Sequence, residues 1–399
     1  MLEEGRHNQK SHVSAGKALL CAITGFFWFA QYIYIPFLTP YLFTLSMTGT
    51  VVGLIVGAYG ITQLVLRIPL GITVDMVRNH KLFIVIGTFL AGISSLGMII
   101  SPSPLLLFVA NATSGAASST WISFTVLYAT YYEKSEGAKA IGTINIFTNA
   151  GRFAAFIIGG ILFERVGIRG LFVVSFISGV IGSALALFIK HEREAARFNI
   201  SVGSLVTVMK EKRLLFFSGM CALAYLVVFG TVYSFTTSTA KNLGAAGMEL
   251  ALFAVLFSAA AMAGSYFVGT RTARKMGDAY VLLLAFLLLG IYCIGIAFSA
   301  SVLPFFPLQV VAGLANGVLI SSLMANAVRH VDDSRKSTAM GFYQSVYCLG
   351  ITFGPVLMGF LVDHASTRAS FMVMAFIPLA CAALIPPAYK SHLLGRSKG

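Results

Sequence analysis

Long apolar runs, separated by short polar stretches, make up most of this 399-residue chain. Each run is about 20 residues or longer, which is the length that a helix needs to cross the hydrocarbon core of a bilayer. The runs are continuous and lack the two-residue alternation of a membrane strand. The sequence therefore predicts twelve membrane-crossing helices, called spans here. The spans cover residues 18–42, 50–72, 82–101, 104–132, 141–163, 166–189, 214–240, 250–269, 279–300, 304–328, 339–362 and 370–389.

Composition agrees with a lipid environment. Hydrophobic residues make up 57% of the chain and charged residues 11%. A soluble protein of this length needs far more polar surface. The predicted fold class is therefore an all-α membrane protein.

The chain repeats itself at half length. A shift of 199 positions places residues 140–177 on 339–376 without a gap, so that Gly151 falls on Gly350 and Arg169 on Arg368. The repeat predicts two pseudo-symmetric six-helix bundles, which is typical of transporters with a substrate site between their halves. The predicted segments are an N-terminal leader 1–17, bundles 18–189 and 214–389, a linker 190–213 and a tail 390–399.

Positive charge is distributed unevenly between the two sides of the predicted bundle. Of the 28 Lys and Arg residues, 22 lie in the leader, the tail and the loops of one side. The positive-inside rule makes that side cytoplasmic, together with both termini. The formal charge of +14 is then a topology signal, and no nucleic-acid partner is predicted. We expect a monomeric, multi-pass protein of a bacterial-type inner (plasma) membrane, with a leader that is retained.

No catalytic chemistry is predicted. The five cysteines lie far apart within apolar runs, and the seven histidines lie outside the middle of the spans. The sequence contains no nucleophile–base set, metal-ligand spacing or nucleotide-binding loop. An enzyme, a cofactor and a bound metal are therefore not expected.

A loop between the second and third spans carries a family resemblance. It reads Gly71-Ile-Thr-Val-Asp75-Met-Val-Arg78-Asn-His-Lys81. This is similar to the signature loop of the major facilitator superfamily, in which Gly and, four residues later, Asp precede a basic cluster. The resemblance implies a twelve-helix secondary carrier in which Gly71, Asp75 and Arg78 act in gating. It also implies that Asp75 meets the cytoplasmic end of the eleventh span.

One charge lies deep in a span. Arg152 is at the middle of the fifth span, where Arg costs about 2.5–3.5 kcal/mol on insertion scales and is expected to meet a wet cavity or a partner. Asn145 and Asn149 precede it by seven and three residues and share its helical face. The guanidinium fork suits a carboxylate, a phosphate or a sulfonate. A structural role, bonded to neighbouring helices, is the alternative for Arg152.

Further polar and aromatic positions at helical spacing predict the lining of the same cavity. In the first half these are Trp28, Gln31 and Tyr32 of the first span and Asn111 and Trp121 of the fourth; in the second half they are Asn316, Gln344 and Tyr347. Arg67, near the end of the second span, can reach the cytoplasmic rim and is assigned to gating.

The sequence thus predicts a secondary transporter of a small organic solute, anionic or zwitterionic, that works by alternating access in the lipid bilayer. Every acidic residue lies in a loop or near a span end, so uniport or exchange has as much weight as coupling to a proton. Two alternatives remain open: an exporter of drugs or other amphiphiles, and a lipid or glycolipid flippase. Asn111 stands where proton-coupled drug exporters often carry an Arg, which argues against the first alternative.

Overall fold

A computed structural model describes residues 2–77, 79–100, 102–133, 136–189, 210–332 and 335–390, with the backbone alone at 2–13, 68, 75, 138, 336 and 337. Within these ranges the chain is helical and contains no β-strand. The predicted all-α class is confirmed. Most of the predicted linker and nearly all of the predicted tail lie outside the described residues.

Fifteen α-helices and one π-helical segment follow one another in the described ranges. The first seven helices are α1 Leu2–Tyr32, α2 Ile35–Thr44, α3 Gly49–Val77, α4 His80–Ile100, α5 Pro104–Ser119, α6 Trp121–Thr130 and α7 Gly137–Ala186. The others are α8 Lys212–Gly230, the π segment Thr231–Phe235, α9 Thr236–Asn242, α10 Gly247–Val268, α11 Arg271–Met276, α12 Asp278–Phe298, α13 Phe305–Val328, α14 Lys336–His364 and α15 Thr367–Lys390.

Ten helical stretches of the described chain are long and apolar enough to cross a membrane. One of them, Lys139–Ala186, has 48 residues and contains the fifth and sixth predicted spans. Its backbone breaks at Gly167, where φ is 62° and ψ is −174°. The fourth predicted span is divided into α5 and α6, which meet at Thr120. With the long stretch counted twice and α5–α6 counted once, the helices are consistent with twelve spans.

The chain packs as two compact units. The first takes in residues 1–35 and 65–198, and the second takes in 36–64 and 199–399. The chain therefore changes unit three times, and one of these boundaries falls inside α3, between Leu64 and Val65. The division into bundles 18–189 and 214–389, which rests on the sequence repeat, stays a prediction.

Glycines allow close helix contacts in the first unit. A Cβ built on Gly151 of α7 would lie 2.6 Å from the carbonyl oxygen of Gly25 in α1, and one on Gly159 would lie 2.6 Å from that of Ile33. Any side chain at either position would separate the two backbones. Such close approach is the usual way in which helices associate in lipid, where no hydrophobic effect drives them together.

The second unit uses the repeat mate of Gly151 in the same way. A Cβ on Gly350 of α14 would lie 2.0 Å from the carbonyl oxygen of Ala222 in α8. The two glycines matched by the 199-residue shift therefore press against the first long helix of their own predicted bundle. The repeat is thus visible as packing as well as sequence.

We predict that Gly151→Ala lowers the thermal unfolding midpoint of the purified protein. The added methyl group forces α1 and α7 apart, and overpacking of this kind costs about 1–3 kcal/mol. Gly142→Ala, in the same helix, is the matched control because nothing lies within 4 Å of its added Cβ. Ala is the better helix former by about 0.5–1 kcal/mol, so the control should be neutral or stabilising. Equal midpoints for the two variants would contradict the packing role of Gly151.

Candidate functional site

The Arg152 side chain lies against two aromatic rings of α1. Its Cζ atom is 4.2 Å from the ring centroid of Trp28 and 4.5 Å from that of Tyr32. The two centroids are 5.7 Å apart, and the ring planes meet at 55°. A guanidinium sandwiched between two rings would hold their centroids much further apart. The rings therefore form a corner that covers adjacent sides of the cation.

The helix packing explains this position. Arg152 directly follows Gly151, whose contact with Gly25 brings the α7 backbone against α1. Trp28 and Tyr32 come three and seven residues after Gly25, so they lie on one face of α1, about one and two turns along it. The close approach of the two helices therefore places both rings against the guanidinium.

The guanidinium is held by rings but not by hydrogen bonds. It makes no hydrogen bond or ion pair with any residue that the structure describes, and its Nε atom is buried without a partner. The indole Nε1 of Trp28 is also buried and unpartnered. Buried donors normally find an acceptor, because an unmade hydrogen bond costs about 1–3 kcal/mol. Two such donors on side chains in contact leave this corner short of an acceptor.

Further aromatic side chains extend the corner. The Trp28 and Trp121 ring centroids are 5.2 Å apart, and Tyr32 meets Phe156 at 5.8 Å. Trp121 and Tyr32 are half-buried. The structure thus brings together four residues that the sequence predicted for the cavity: Trp28, Tyr32, Trp121 and Arg152.

The predicted amide groups are placed differently. Gln31 is only 2% exposed; its amide nitrogen donates to the carbonyl oxygen of Ser114 at 3.1 Å and to the Ser118 hydroxyl at 3.2 Å. Its carbonyl oxygen accepts from the Ser114 hydroxyl. These bonds tie α1 to α5, so Gln31 is left out of the proposed site.

The three predicted asparagines also differ in environment. Asn149 donates to the backbone carbonyl of Asn145 at 2.9 Å, which occupies part of its amide within α7. Asn145 is exposed and Asn111 is buried. Their roles as orienting amides stay predictions.

The second unit contains the remaining predicted site residues. Asn316 is buried in α13, whereas Gln344 and Tyr347 are half-buried on α14. The Tyr347 ring lies 4.8 Å from that of Tyr225 on α8. Their participation in binding stays a prediction.

A row of aromatic rings that begins on α8 was not predicted from the sequence. The rings of Tyr225, Phe229 and Tyr233 follow one another at 5.5 and 4.9 Å. The last of them lies in the π segment. The four-residue spacing of the aromatic residues was the available signal, but the local change to π-helix has none in the sequence.

The predicted gating residues are only partly described. Gly71 is buried, and a Cβ there would lie no closer than 4.0 Å to Ile122, so packing does not require a glycine. Arg67 is half-buried in α3. The side chain of Asp75 and the whole of Arg78 lie outside the described residues. Among the side chains that are described, no three His, Cys, Asp or Glu groups form a metal-binding cluster.

Comparisons with known proteins agree on the family. The model of the Major Facilitator Superfamily matches residues 20–270 and 215–395. The chain is 22% identical to the inner membrane transport protein YajR of Escherichia coli, over 87% of this chain and 77% of YajR. It is also 22% identical to a multi-drug resistance efflux pump PmrA homolog of Lactococcus lactis, over 84% of this chain and 85% of the relative.

A solved structure shows the same fold. A bacterial homolog of the human lysosomal transporter Spinster superposes with a TM-score of 0.78 at 16% identity, covering 97% of this chain and 99% of the other. This likeness concerns the fold alone. Together with the family match and the helical architecture, it confirms the resemblance carried by the loop at Gly71. The chain is a membrane transporter that belongs to the major facilitator superfamily.

Proposed function

We propose that this protein is a secondary transporter of a small organic anion or zwitterion, that it works by alternating access, and that Arg152 is the anchor for the anionic group. One observation carries the proposal. A guanidinium in the middle of a long apolar helix is held by two aromatic rings and lacks an acceptor among the described residues.

The energies favour an anionic ligand. A cation–π contact contributes about 0.5–2 kcal/mol, so two rings offset much of the about 2.5–3.5 kcal/mol that an Arg costs at mid-membrane. The aromatic faces cannot accept hydrogen bonds from the in-plane N–H groups of the guanidinium as an oxygen atom does. An anionic oxygen would supply charge-assisted hydrogen bonds of about 1.5–3 kcal/mol each. The rings therefore keep the cation in place between turnovers, and the substrate supplies the hydrogen-bond acceptor that the guanidinium lacks.

The same corner disfavours cations, which the guanidinium repels. The exporter alternative has support from the PmrA homolog, whose name describes a multidrug efflux pump. An anionic lipid headgroup offers the same chemistry as a soluble carboxylate or phosphate, so the ligand panel below includes both. Turnover driven by the substrate's own gradient, as uniport or exchange, needs no further group. Coupling to a proton is tested by imposing a pH gradient on reconstituted vesicles.

We predict that Arg152→Gln abolishes stabilisation by the anionic substrate. The measurement is thermal unfolding of the purified protein with matched carboxylates, phosphates, zwitterions, amines and anionic lipids. A ligand at 100 times its Kd stabilises by about 2.7 kcal/mol, which is readily visible. Arg152→Lys should retain part of the effect, because it keeps the charge but loses the bidentate fork.

The matched control is Arg169→Gln, which changes an exposed arginine just beyond the break at Gly167 in α7. It should respond to ligands as the wild type does. Stabilisation of the wild type and Arg152→Gln to the same extent, by amines or by lipids, would overturn the anchor role and favour the exporter or the flippase. Exchange of the identified anion in proteoliposomes, lost in Arg152→Gln, would complete the test.

A second prediction concerns the ring corner. Trp28→Leu should weaken binding of the anion found above by about two- to thirtyfold, because it removes a cation–π contact of about 0.5–2 kcal/mol. Trp28→Phe keeps an aromatic face and should bind more tightly than Trp28→Leu. Titration calorimetry gives both dissociation constants. Equal affinities for the two variants would show that the ring does not support Arg152.

A further inference from the structure

The first turn of α3 is capped from a distant part of the chain. The Asp363 carboxylate, in the last turn of α14, accepts from the backbone N–H of Gly49 at 2.6 Å. Its other oxygen accepts from the backbone N–H of Thr50 at 2.7 Å and from the Thr50 hydroxyl at 2.6 Å. All three bonds connect two helices of the second unit that are more than 300 residues apart in sequence.

A cap of this kind is normally supplied by the residue just before the helix. Here the local candidate, Thr48, makes only a long bond of 3.4 Å to the N–H of Val51. The N–H groups at a helix start carry partial positive charge, so a carboxylate is the group that they bind best. Asp363 therefore acts as the N-cap of α3, although it belongs to another helix.

Below this cap, α3 meets α14 with almost no side chain between the two backbones. Cβ atoms on Gly53 and Gly57 would lie 2.3 Å from the Pro355 carbonyl oxygen and 2.6 Å from that of Thr352. The glycines let the two backbones approach closely, and the three bonds of Asp363 lie at one end of this contact.

The helix that Asp363 caps, α3, is divided between the two units. Its first half belongs to the second unit, but from Val65 onward the helix belongs to the first. A helix shared in this way cannot follow both units if they move apart. The distribution of Lys and Arg predicts that Gly49 and Asp363 lie on the side opposite the cytoplasm.

We propose that Asp363 is the outer latch of the transport cycle: its bonds to Gly49 and Thr50 hold α3 against α14 while the outer side is closed, and they break when it opens. Asp363 is a positioning residue that touches no substrate. The inference rests on the proposed alternating access, but it does not depend on the proposed anion specificity.

The test is the access of a thiol reagent to the α3–α14 contact. Val356 is a suitable reporter, because a Cβ on Gly53 would lie 2.9 Å from its Cα atom and one on Gly57 would lie 3.2 Å from its Cγ2 atom. The five native cysteines are buried and set a low background. The rate at which a polar maleimide labels Val356→Cys in detergent then reports separation of the two helices.

Asp363→Asn should raise this labelling rate about tenfold, because charge-assisted hydrogen bonds are replaced by weaker neutral ones. Asp363→Glu should restore part of the slow labelling. Thr50→Val removes one of the three bonds and should give a smaller increase; it also carries the test if Asp363→Asn fails to fold.

Glu249→Gln is the matched control. The Glu249 carboxylate accepts from the N–H of Ala246 at 2.8 Å, which is a cap of the same chemistry within a single helix. It should leave the labelling rate unchanged. Equal rates in Asp363→Asn and in the otherwise unchanged reporter, or an equal increase in Glu249→Gln, would overturn the latch.

The labelling test is independent of the substrate. Arg152→Gln should leave the labelling rate of the reporter as it is in the absence of ligand. The ligand screen therefore tests the anchor role of Arg152, and the labelling test separately tests the latch role of Asp363. Either proposal can fail without the other.

Discussion

Backbone-to-backbone contact at glycine is the constraint on which this structure depends. Lipid tails are as apolar as leucine, so helices in a bilayer gain little by hiding apolar side chains from them. They associate where small residues let backbones approach, as Gly151 does against Gly25 and Gly350 against Ala222. Both glycines occupy equivalent positions of the repeat. The fold is thus stabilised by the same contact in each unit.

The environment of Arg152 follows from that contact. Because α1 and α7 touch at Gly25 and Gly151, the next residue, Arg152, meets the aromatic face of α1 and not lipid. Aromatic faces can stabilise a cation without occupying its in-plane donors. A buried carboxylate in the same place would neutralise the guanidinium permanently. The corner formed by Trp28 and Tyr32 keeps the cation inside the protein and leaves its Nε donor without a partner among the described residues.

The same kind of contact has another consequence between α3 and α14. Glycine surfaces give close packing, and hydrogen bonds add direction to it. Asp363 supplies three such bonds at the start of α3. Packing and latch meet at Gly49, where an added Cβ would lie 2.6 Å from the Gly359 carbonyl oxygen and 2.9 Å from Oδ1 of Asp363.

The sequence by itself determined the all-helical, membrane-crossing class of the protein and the one arginine deep in a span, and its prediction of twelve spans is consistent with the helices. Hydropathy and charge bias are local properties that lipid imposes on any membrane helix, so they can be read along the chain. Only the tertiary structure decided what each polar side chain meets. It turned Gln31 toward Ser114, paired Arg152 with two rings, and joined Asp363 to a helix start more than 300 residues away. Helical spacing shows which residues share a face, but it does not show which distant helix covers that face, because this depends on where backbones can approach.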